Sequence, residues 1–423
     1  MKVTLRAAAA ALLCALAAFS QADANKAQLS GTVTDPSGGA VAAAGVKIRN
    51  TATGFTREIQ TNSEGFYRAV QLDPGVYEVN VTQQGFSPTT LKNVVLNVGA
   101  SVSLDVKLEV SGTEVSIEVA ETLINIALPA PTVTLPATAI RDLPINGRRF
   151  QDFAAITPTV QVEPQRQQLS FAGQRGVNSN IMVDGADYNQ PFFGGIRGGE
   201  RSNFNFTLPQ SAVQEFQAVA TGYAAEYGRS TGGVLNVITK TGGNAWHGDG
   251  FYQNRNRELS RNNPIFLRKP SESLQQWGGS VGGPLKRDRL VLFGAYEQQK
   301  ADTPREVFFG QLVGLTATPD TREALEFFRS QEVPFKQDNR AVASTVRGDY
   351  QFQNGSRLTL RYNFSDSVEN NAVSVGGALN PFTNSAVSNE GAGKNRAQFG
   401  TAQPTSLVGS RVVNQVKFST THE

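Results

Sequence analysis

From Asn244 onward the chain alternates with a period of two. Leu358, Leu360, Tyr362 and Phe364 interleave with Arg357, Thr359, Arg361 and Asn363. Val346, Tyr350 and Phe352 fall between Thr345, Arg347, Asp349 and Gln351 in the same way. Successive side chains of a strand point to opposite faces, so each such segment shows one apolar and one polar surface. A soluble half-buried strand alternates equally well, so the pattern fixes strands and leaves the medium open. Leu290 to Tyr296 is apolar on both faces and fits the rule poorly. Thr321 to Gln331 has a helical look, with Ala324, Leu325, Phe327 and Phe328 among charges, and belongs in a long external loop.

The N-terminus narrows the medium. Lys2 and Arg6 precede an apolar run from Ala7 to Phe19, and Ala22-Asp23-Ala24 supplies an A-x-A cleavage pattern. Residues 1–24 therefore read as a secretory signal peptide, with an apolar core too short to span a bilayer. No later segment approaches about 18 consecutive apolar residues, so no transmembrane helix is expected. An exported chain of this kind is periplasmic, secreted or a β-barrel. Its one cysteine, Cys14, lies inside the signal, and the bulky Leu13 before it argues against a lipoprotein. The exported part thus has no thiol for disulfides, nucleophilic catalysis or Cys-ligated zinc. Net charge is +3, from 39 basic and 36 acidic residues, too small and too evenly spread for nucleic-acid binding. The 41 glycines and 25 phenylalanines in 423 residues suit an all-β protein rich in turns.

The middle of the chain changes texture. VQEFQAVATGYAAEYGRSTGGVLNVITKTGGNAWHGDGFYQNRN, from Val213, is punctuated by glycine, and QQWGGSVGGPLKRDRLVLFGAYE later turns aromatic and strand-like. Upstream lie Leu143-Pro144-Ile145-Asn146-Gly147-Arg148-Arg149-Phe150, then a short apolar helix ending in Thr157-Pro158. Gly173-Gln174-Arg175-Gly176 and Ile181-Met182-Val183-Asp184-Gly185 follow, then Ala225-Glu226-Tyr227-Gly228-Arg229 and Gly232 to Lys240. This wording resembles TonB-dependent outer-membrane receptors, in the Oar-like subgroup that carries an extra N-terminal β-sandwich. The resemblance implies an α+β plug over residues 123–244 and the first strands of an antiparallel transmembrane β-barrel over 245–423.

Ahead of the plug, Val102, Leu104, Val106, Leu108 and Val110 alternate with Ser101, Ser103, Asp105, Lys107 and Glu109. Tyr77, Val79 and Val81 do so with Glu78, Asn80 and Thr82. Asp35-Pro36-Ser37-Gly38-Gly39, Asn62-Ser63-Glu64-Gly65 and Asp73-Pro74-Gly75 are turns at short spacing. The run resembles a carboxypeptidase-regulatory-like domain, assigned to residues 25–111. That resemblance implies a seven-stranded Greek-key sandwich related in shape to starch-binding modules, and no peptidase. Residues 112–122 then read as a linker. Its core, Glu114, Val115, Ser116, Ile117, Glu118 and Val119, resembles a TonB box, a segment able to add a strand to a partner's sheet and be pulled. The last sandwich strand running on would explain it equally.

Transporters of this type have 22-stranded barrels with a plugged lumen. At about 9–11 residues per strand the strands alone take roughly 200–240 residues. Residues 245–423 offer room for about six to eight strands. The expectation is therefore the N-terminal portion of a larger receptor: a truncated gene, a fragment or one piece of a split protein.

No enzyme constellation is found. His247 and His422 stand far apart, and His247 after Trp246 suits an interfacial structural role. Gly391-Ala392-Gly393-Lys394-Asn395 lacks the hydroxyl residue and leading glycine of a phosphate loop. Asp184, Asp187 and Asn189 miss the spacing of a calcium loop. No catalytic residue, metal site or cofactor is expected, and the ligand-binding residues cannot be read. Arg148, Arg149, Arg175, Arg197 and Arg229 would face an anionic ligand or, better, pair with acids lining the barrel. The function expected is active uptake of a bulky solute across the outer membrane of a Gram-negative-type bacterium. Its partners would be the TonB energy-transducing complex, outer-membrane lipid, and a small solute, siderophore or oligosaccharide. The competing expectation is a carbohydrate-binding or adhesion surface protein, the remnant of such a receptor.

Overall fold

The computed structural model describes residues 25–110, 115–118, 132–143, 145, 148–163, 168–192, 194–198, 206–223, 227–262, 269, 272–372, 382–389, 391–409 and 412–423. The signal segment 1–24, Glu114, Val119, Pro144, Asn146, Gly147, Ala225 and Glu226 lie outside them.

The first unit is a two-sheet sandwich. One sheet holds β4 (Phe66–Leu72), β1 (Ala27–Thr34), β7 (Ser101–Ser103) and β8 (Val106–Lys107). The other runs β3 (Thr56–Gln60), β2 (Gly45–Asn50), β5 (Gly75–Thr82), β6 (Thr89–Leu96) and β9 (Val115–Glu118). Seven strands were expected and nine pieces are found. β7 and β8 are one interrupted run, both parallel to β1. β9 is the addition, contributed by the segment read as a linker, and it lies parallel on β6 at the sheet edge. The expected faces hold for Val102, Leu104, Val106 and Leu108, all buried with Tyr77, Val79 and Val81 in one apolar core. Val110 departs: it is 65% exposed, because β8 has ended before it.

The second unit is α+β. Its mixed sheet has the order β10 (Thr132–Pro136), β15 (Val213–Val219), β16 (Gly233–Thr239), β13 (Ser179–Val183) and β14 (Ala186–Asp187). β13 and β16 are parallel and the other neighbours antiparallel. A hairpin of β11 (Val160–Val162) and β12 (Leu169–Phe171), helix α1 (Ala137–Asp142) and a 3-10 turn at Phe150–Ile156 pack over it. β13, β15 and β16 read as near-continuous buried runs, as strands covered on both faces must. The short apolar helix expected before Thr157 is therefore this 3-10 turn.

The third unit is an antiparallel meander. It follows β17 (His247–Arg255), β18 (Ser273–Lys286), β19 (Leu290–Val307), β20 (Phe335–Gln351), β21 (Arg357–Ala372) and β23 (Gly391–Val408). β22 (Phe382–Thr383) adds to β19, while β24 (Val412–Gln415) and β25 (Phe418–His422) both pair with β23. β24 and β25 are thus two short pieces, separated by Val416 and Lys417. Among the described residues the sheet does not close on itself. Helix α2 (Arg322–Ser330) stands in the long connection between β19 and β20, as the sequence suggested. The connections at β18–β19 and β20–β21 are tight turns on the side of the sandwich, and the longer ones lie at the opposite end. In outer-membrane barrels short turns face the periplasm and long loops the exterior.

Burial strictly alternates along β20 and most of β19 and β21. Thr345, Arg347, Asp349, Thr359, Arg361 and Asn363 are buried, while Val346, Leu360 and Tyr362 are about half exposed. The apolar inner face of Leu290–Tyr296 has a direct cause. Phe293 and Ala295 pack on Ala212 of the central unit, which presents an apolar spot to the wall there. At the start of β17, Trp246 covers Gly283, where any Cβ would overlap the indole.

Candidate functional site

The central unit sits against the inner face of the meander, and the contact is built mainly from polar groups. Its main anchor is the two-residue turn Asp184-Gly185 between β13 and β14. Both residues have positive φ, 47° and 69°, the geometry of a tight hairpin turn and a natural place for Asp-Gly. The turn delivers the Asp184 carboxylate to the wall. It accepts hydrogen bonds from Arg361 Nη1 at 2.6 Å, Thr239 N at 2.8 Å and Thr239 Oγ1 at 2.7 Å. Arg347 Nη1 stands 3.9 Å away. Burial alone would raise the Asp184 pKa, but the charges of Arg361 and Arg347 with the Thr239 bonds hold it below the ordinary range. Arg347 forks onto Asp349 at 2.8 and 3.1 Å, and Asp349 also accepts from Thr359 and Thr241. Arg361 further donates to Val183 O at 3.1 Å. Lys417, between β24 and β25, reaches Asp184 O at 3.0 Å.

A second anchor lies on β19. Glu297, 1% exposed, accepts from Arg148 Nη2 at 3.0 Å and from Ser211 N at 2.8 Å, and also from the Ser211 hydroxyl. The Arg148 guanidinium covers the Phe251 ring at 3.7 Å. Burial lowers the Lys240 pKa, and Asp249 and Glu297 oppose it. A third anchor joins Arg197 to Glu423 at 3.4 Å. Apolar contact is confined to small spots. Phe399 of β23 meets Tyr188 edge-on at 5.1 Å, and Phe206 rests on Ala341 and Ala343.

The five arginines singled out by sequence separate accordingly. Arg148 and Arg197 pair with acids of the meander, whereas Arg149 pairs with Asp152 and Arg229 with Asp187 inside the central unit. Arg175 is exposed. Asp187 thus serves Arg229 and, through a 2.7 Å bond, Asn189. Asp184, Glu297 and Asp349 were not read as anchors. The strand parity already put Asp349 and Arg347 on the inner face, but nothing in the sequence said which group of the central unit they would meet. Among the described residues no cluster of three metal-ligating side chains is found.

The sandwich closes the short-turn side. Glu215 of β15 accepts from Val98 N at 3.1 Å, and Gln217 donates to Val98 O at 3.2 Å. Burial pushes Glu215 up to about 7. Asp73 joins Lys26 to Arg357 of the meander, and Gln351 donates to Thr56 O at 2.9 Å. Asn244 N donates to Ala52 O at 2.7 Å. A cavity of about 360 Å³ remains between the three units, lined by Lys26, Asp73, Gln214, Thr241, His247 and Arg347 among others. Of the six TonB-box positions, Val115, Ser116, Ile117 and Glu118 form β9, and Asn93 donates to Glu118 at 2.6 Å.

Comparison with known proteins agrees with this architecture. Residues 28–109 match the carboxypeptidase regulatory-like domain, and residues 238–312 an outer membrane β-barrel domain. The TonB-dependent transporter Oar of Myxococcus xanthus is 26% identical over 309 residues, covering 68% of this chain and 28% of Oar. The probable TonB-dependent siderophore receptor PirA of Acinetobacter baumannii is 29% identical over 160 residues, 36% of this chain and 19% of PirA. These alignments span under a third of either relative's length. The crystal structure of the outer membrane transporter YddB from Escherichia coli superposes with a TM-score of 0.47 at 11% identity, over 70% of this chain and 40% of that one. The chain is an outer-membrane protein homologous to the TonB-dependent receptors, with a carboxypeptidase regulatory-like domain ahead of its β-barrel domain.

Proposed function

We propose that the chain supplies the plug and adjoining wall of a TonB-dependent receptor that imports a bulky solute across the outer membrane. The reading divides the chain into a signal peptide (1–24), a sandwich (25–111), a linker with the TonB box (112–122), a plug (123–244) and barrel wall (245–423). The observation that carries it is the polar seam between plug and wall. Ion pairs and hydrogen bonds such as Asp184–Arg361 and Glu297–Arg148 can be exchanged for water when the plug shifts. An apolar seam would resist hydration. The pull would enter through Glu114 to Val119. Its described part, β9, is an edge strand with Ile117 43% exposed, so a further strand can add to its free side. Energy would come from the TonB complex in the inner membrane, and no covalent chemistry or cofactor is required of this chain. The names of the relatives support a transported solute, with siderophores one class.

The test is a photoreactive residue in place of Ile117 in cells. Crosslinking to TonB that disappears with Ser116→Pro, which removes a backbone donor from the edge strand, is the expected result. Absence of any TonB adduct, with the protein running identically on gels before and after boiling, would remove the proposal.

A further inference from the structure

The outward face of the meander carries a row of cations at one height. Cross-strand register sets Lys300 of β19 opposite Arg340 of β20, Arg340 opposite Val368 of β21, and Val368 opposite Lys394 of β23. Gln299, Asn339 and Ser367 beside them point inward, while Lys300, Arg340 and Lys394 are exposed. The same register places Leu290, Tyr350, Leu358 and Pro404 in one row at the short-turn end. Ten residues separate Leu290 from Lys300. At about 3.4 Å per residue, on strands tilted 35–45°, that is a height of roughly 24–28 Å. The lipid-facing band of an outer-membrane barrel is about 25 Å tall. Between the two rows these four strands show Leu292, Tyr296, Val342, Val346, Leu360, Tyr362 and Phe364 outward, and their sole charges are Asp366 and Arg396, paired at 2.7 Å. The cation row therefore stands where the apolar band ends, at the long-loop end of the sheet.

Like charges directly opposite on neighbouring strands repel. Lys300 and Arg340 are such a pair, and neighbouring acids do little to relieve it. Asp302 is 4.0 Å from Lys300 and is shared with Lys336 at 3.6 Å. Asp338 is held by Asn370. Among the described residues Arg340 and Lys394 make no ion pair. Strands stand about 4.8 Å apart, so Arg340 and Lys394, two strands apart, are separated by about 10 Å, a gap two long side chains close around one tetrahedral anion. A guanidinium grips phosphate through paired N–H groups and an ammonium adds a point charge.

We propose that Lys300, Arg340 and Lys394 form a docking row for the phosphate groups of an outer-leaflet lipid. The inference rests on the outer-membrane placement and on the long loops facing outward, and needs no transport activity. The phosphates neutralise the Lys300–Arg340 repulsion and fix the height of the wall in the leaflet.

The probe is purified phosphorylated lipopolysaccharide added to the full chain in detergent, with bound lipid read by native mass spectrometry. The triple variant Lys300→Gln/Arg340→Gln/Lys394→Gln is expected to bind it at least tenfold more weakly. Phosphatase-treated lipid should bind both proteins equally and weakly. Arg340→Lys keeps the charge and should retain most of the binding, so a triple variant that fails to fold leaves this comparison against Arg340→Gln. Equal binding by wild type and variants, or no effect of phosphatase, overturns the proposal. Stabilisation by inorganic phosphate as large as that by lipid also overturns it, since the site would then take the free anion. Loss of lipid binding with the Ile117 crosslink intact would leave the receptor reading standing, and the converse would leave the lipid site.

Discussion

The carboxylate of Asp184, on the β13–β14 hairpin of the central unit, accepts a 2.6 Å hydrogen bond from Arg361 Nη1 on strand β21 of the meander. The Arg361 side chain is 0% exposed and that of Asp184 17%. Removing one member of such a pair leaves a buried charge uncompensated, at a cost of about 3–5 kcal/mol, whereas neutralising both costs much less. Arg361→Ala is expected to loosen the plug by that order, and Asp184→Asn with Arg361→Gln by less than half of it. Hydrogen exchange of Ile181 to Val183 amides in graded urea measures both. Equal loss in the single and double variants would mean the pair does not hold the seam.

The junction between sandwich and plug should respond to pH. Glu215 is 5% exposed, and burial lifts its pKa from 4.5 to about 7 in the folded protein. The folded state then binds more protons than the unfolded one between those values, so stability is greatest below about 4.5, falls as pH rises through the window and is flat above 7. The full change is on the order of 3 kcal/mol. The urea midpoint for separating sandwich from plug, read by hydrogen exchange of the Val98 and Glu215 amides, should be lower at pH 8 than at pH 5. Glu215→Gln keeps an acceptor for Val98 N and should remove most of that difference between the two pH values.

How much of this was legible in the sequence depends on the range of the interaction. Alternation at Leu358 to Asn363 gave the faces correctly, because period two is a local property of a strand. Asp184-Gly185 has the local chemistry of its hairpin as well, although the expectation for these residues rested only on the family resemblance. The partners of Asp184 stand 163 and 177 positions downstream, at Arg347 and Arg361, and no spacing rule connects them. Leu290–Tyr296 misled because one face meets lipid and the other an apolar spot on the plug, a contact that a strand pattern alone cannot foresee. The β9 pairing was not foreseen: a TonB box and a continuation of the last sandwich strand were the two readings, whereas Val115 to Glu118 forms a separate strand on β6, with strand composition but no turn chemistry tying it there.

Gly31 should tolerate no side chain. It faces the Leu104 carbonyl so closely that any Cβ would overlap it, and Tyr67 donates its hydroxyl to the same oxygen at 2.6 Å. Gly31→Ala must part β1 from the β7–β8 run or break the tyrosine bond. Overpacking of this kind costs typically 1–3 kcal/mol. A lowered melting transition of the sandwich, with the plug and wall transitions unmoved, is the expected calorimetric result. An unchanged transition would show that this approach of strands is looser than the structure gives.

Phe399 and Phe364 separate the two media of the wall. They face each other's strands closely in register, Asn363 opposite Phe399 and Phe364 opposite Gln398, yet their side chains point to opposite faces. Phe399 is 1% exposed, packed into the plug core beside Tyr188, while Phe364 lies on the lipid side. Truncating a core phenylalanine costs about 3–5 kcal/mol through lost transfer energy and the cavity left behind. Lipid tails can refill a gap on the outer face, so truncation there leaves a smaller void. Phe399→Ala is therefore expected to release the plug at lower urea concentration without altering membrane extraction. Phe364→Ala should leave the plug transition in place. Equal effects of the two substitutions on plug release would mean that the wall transmits packing across its thickness and that the seam is not confined to its inner face.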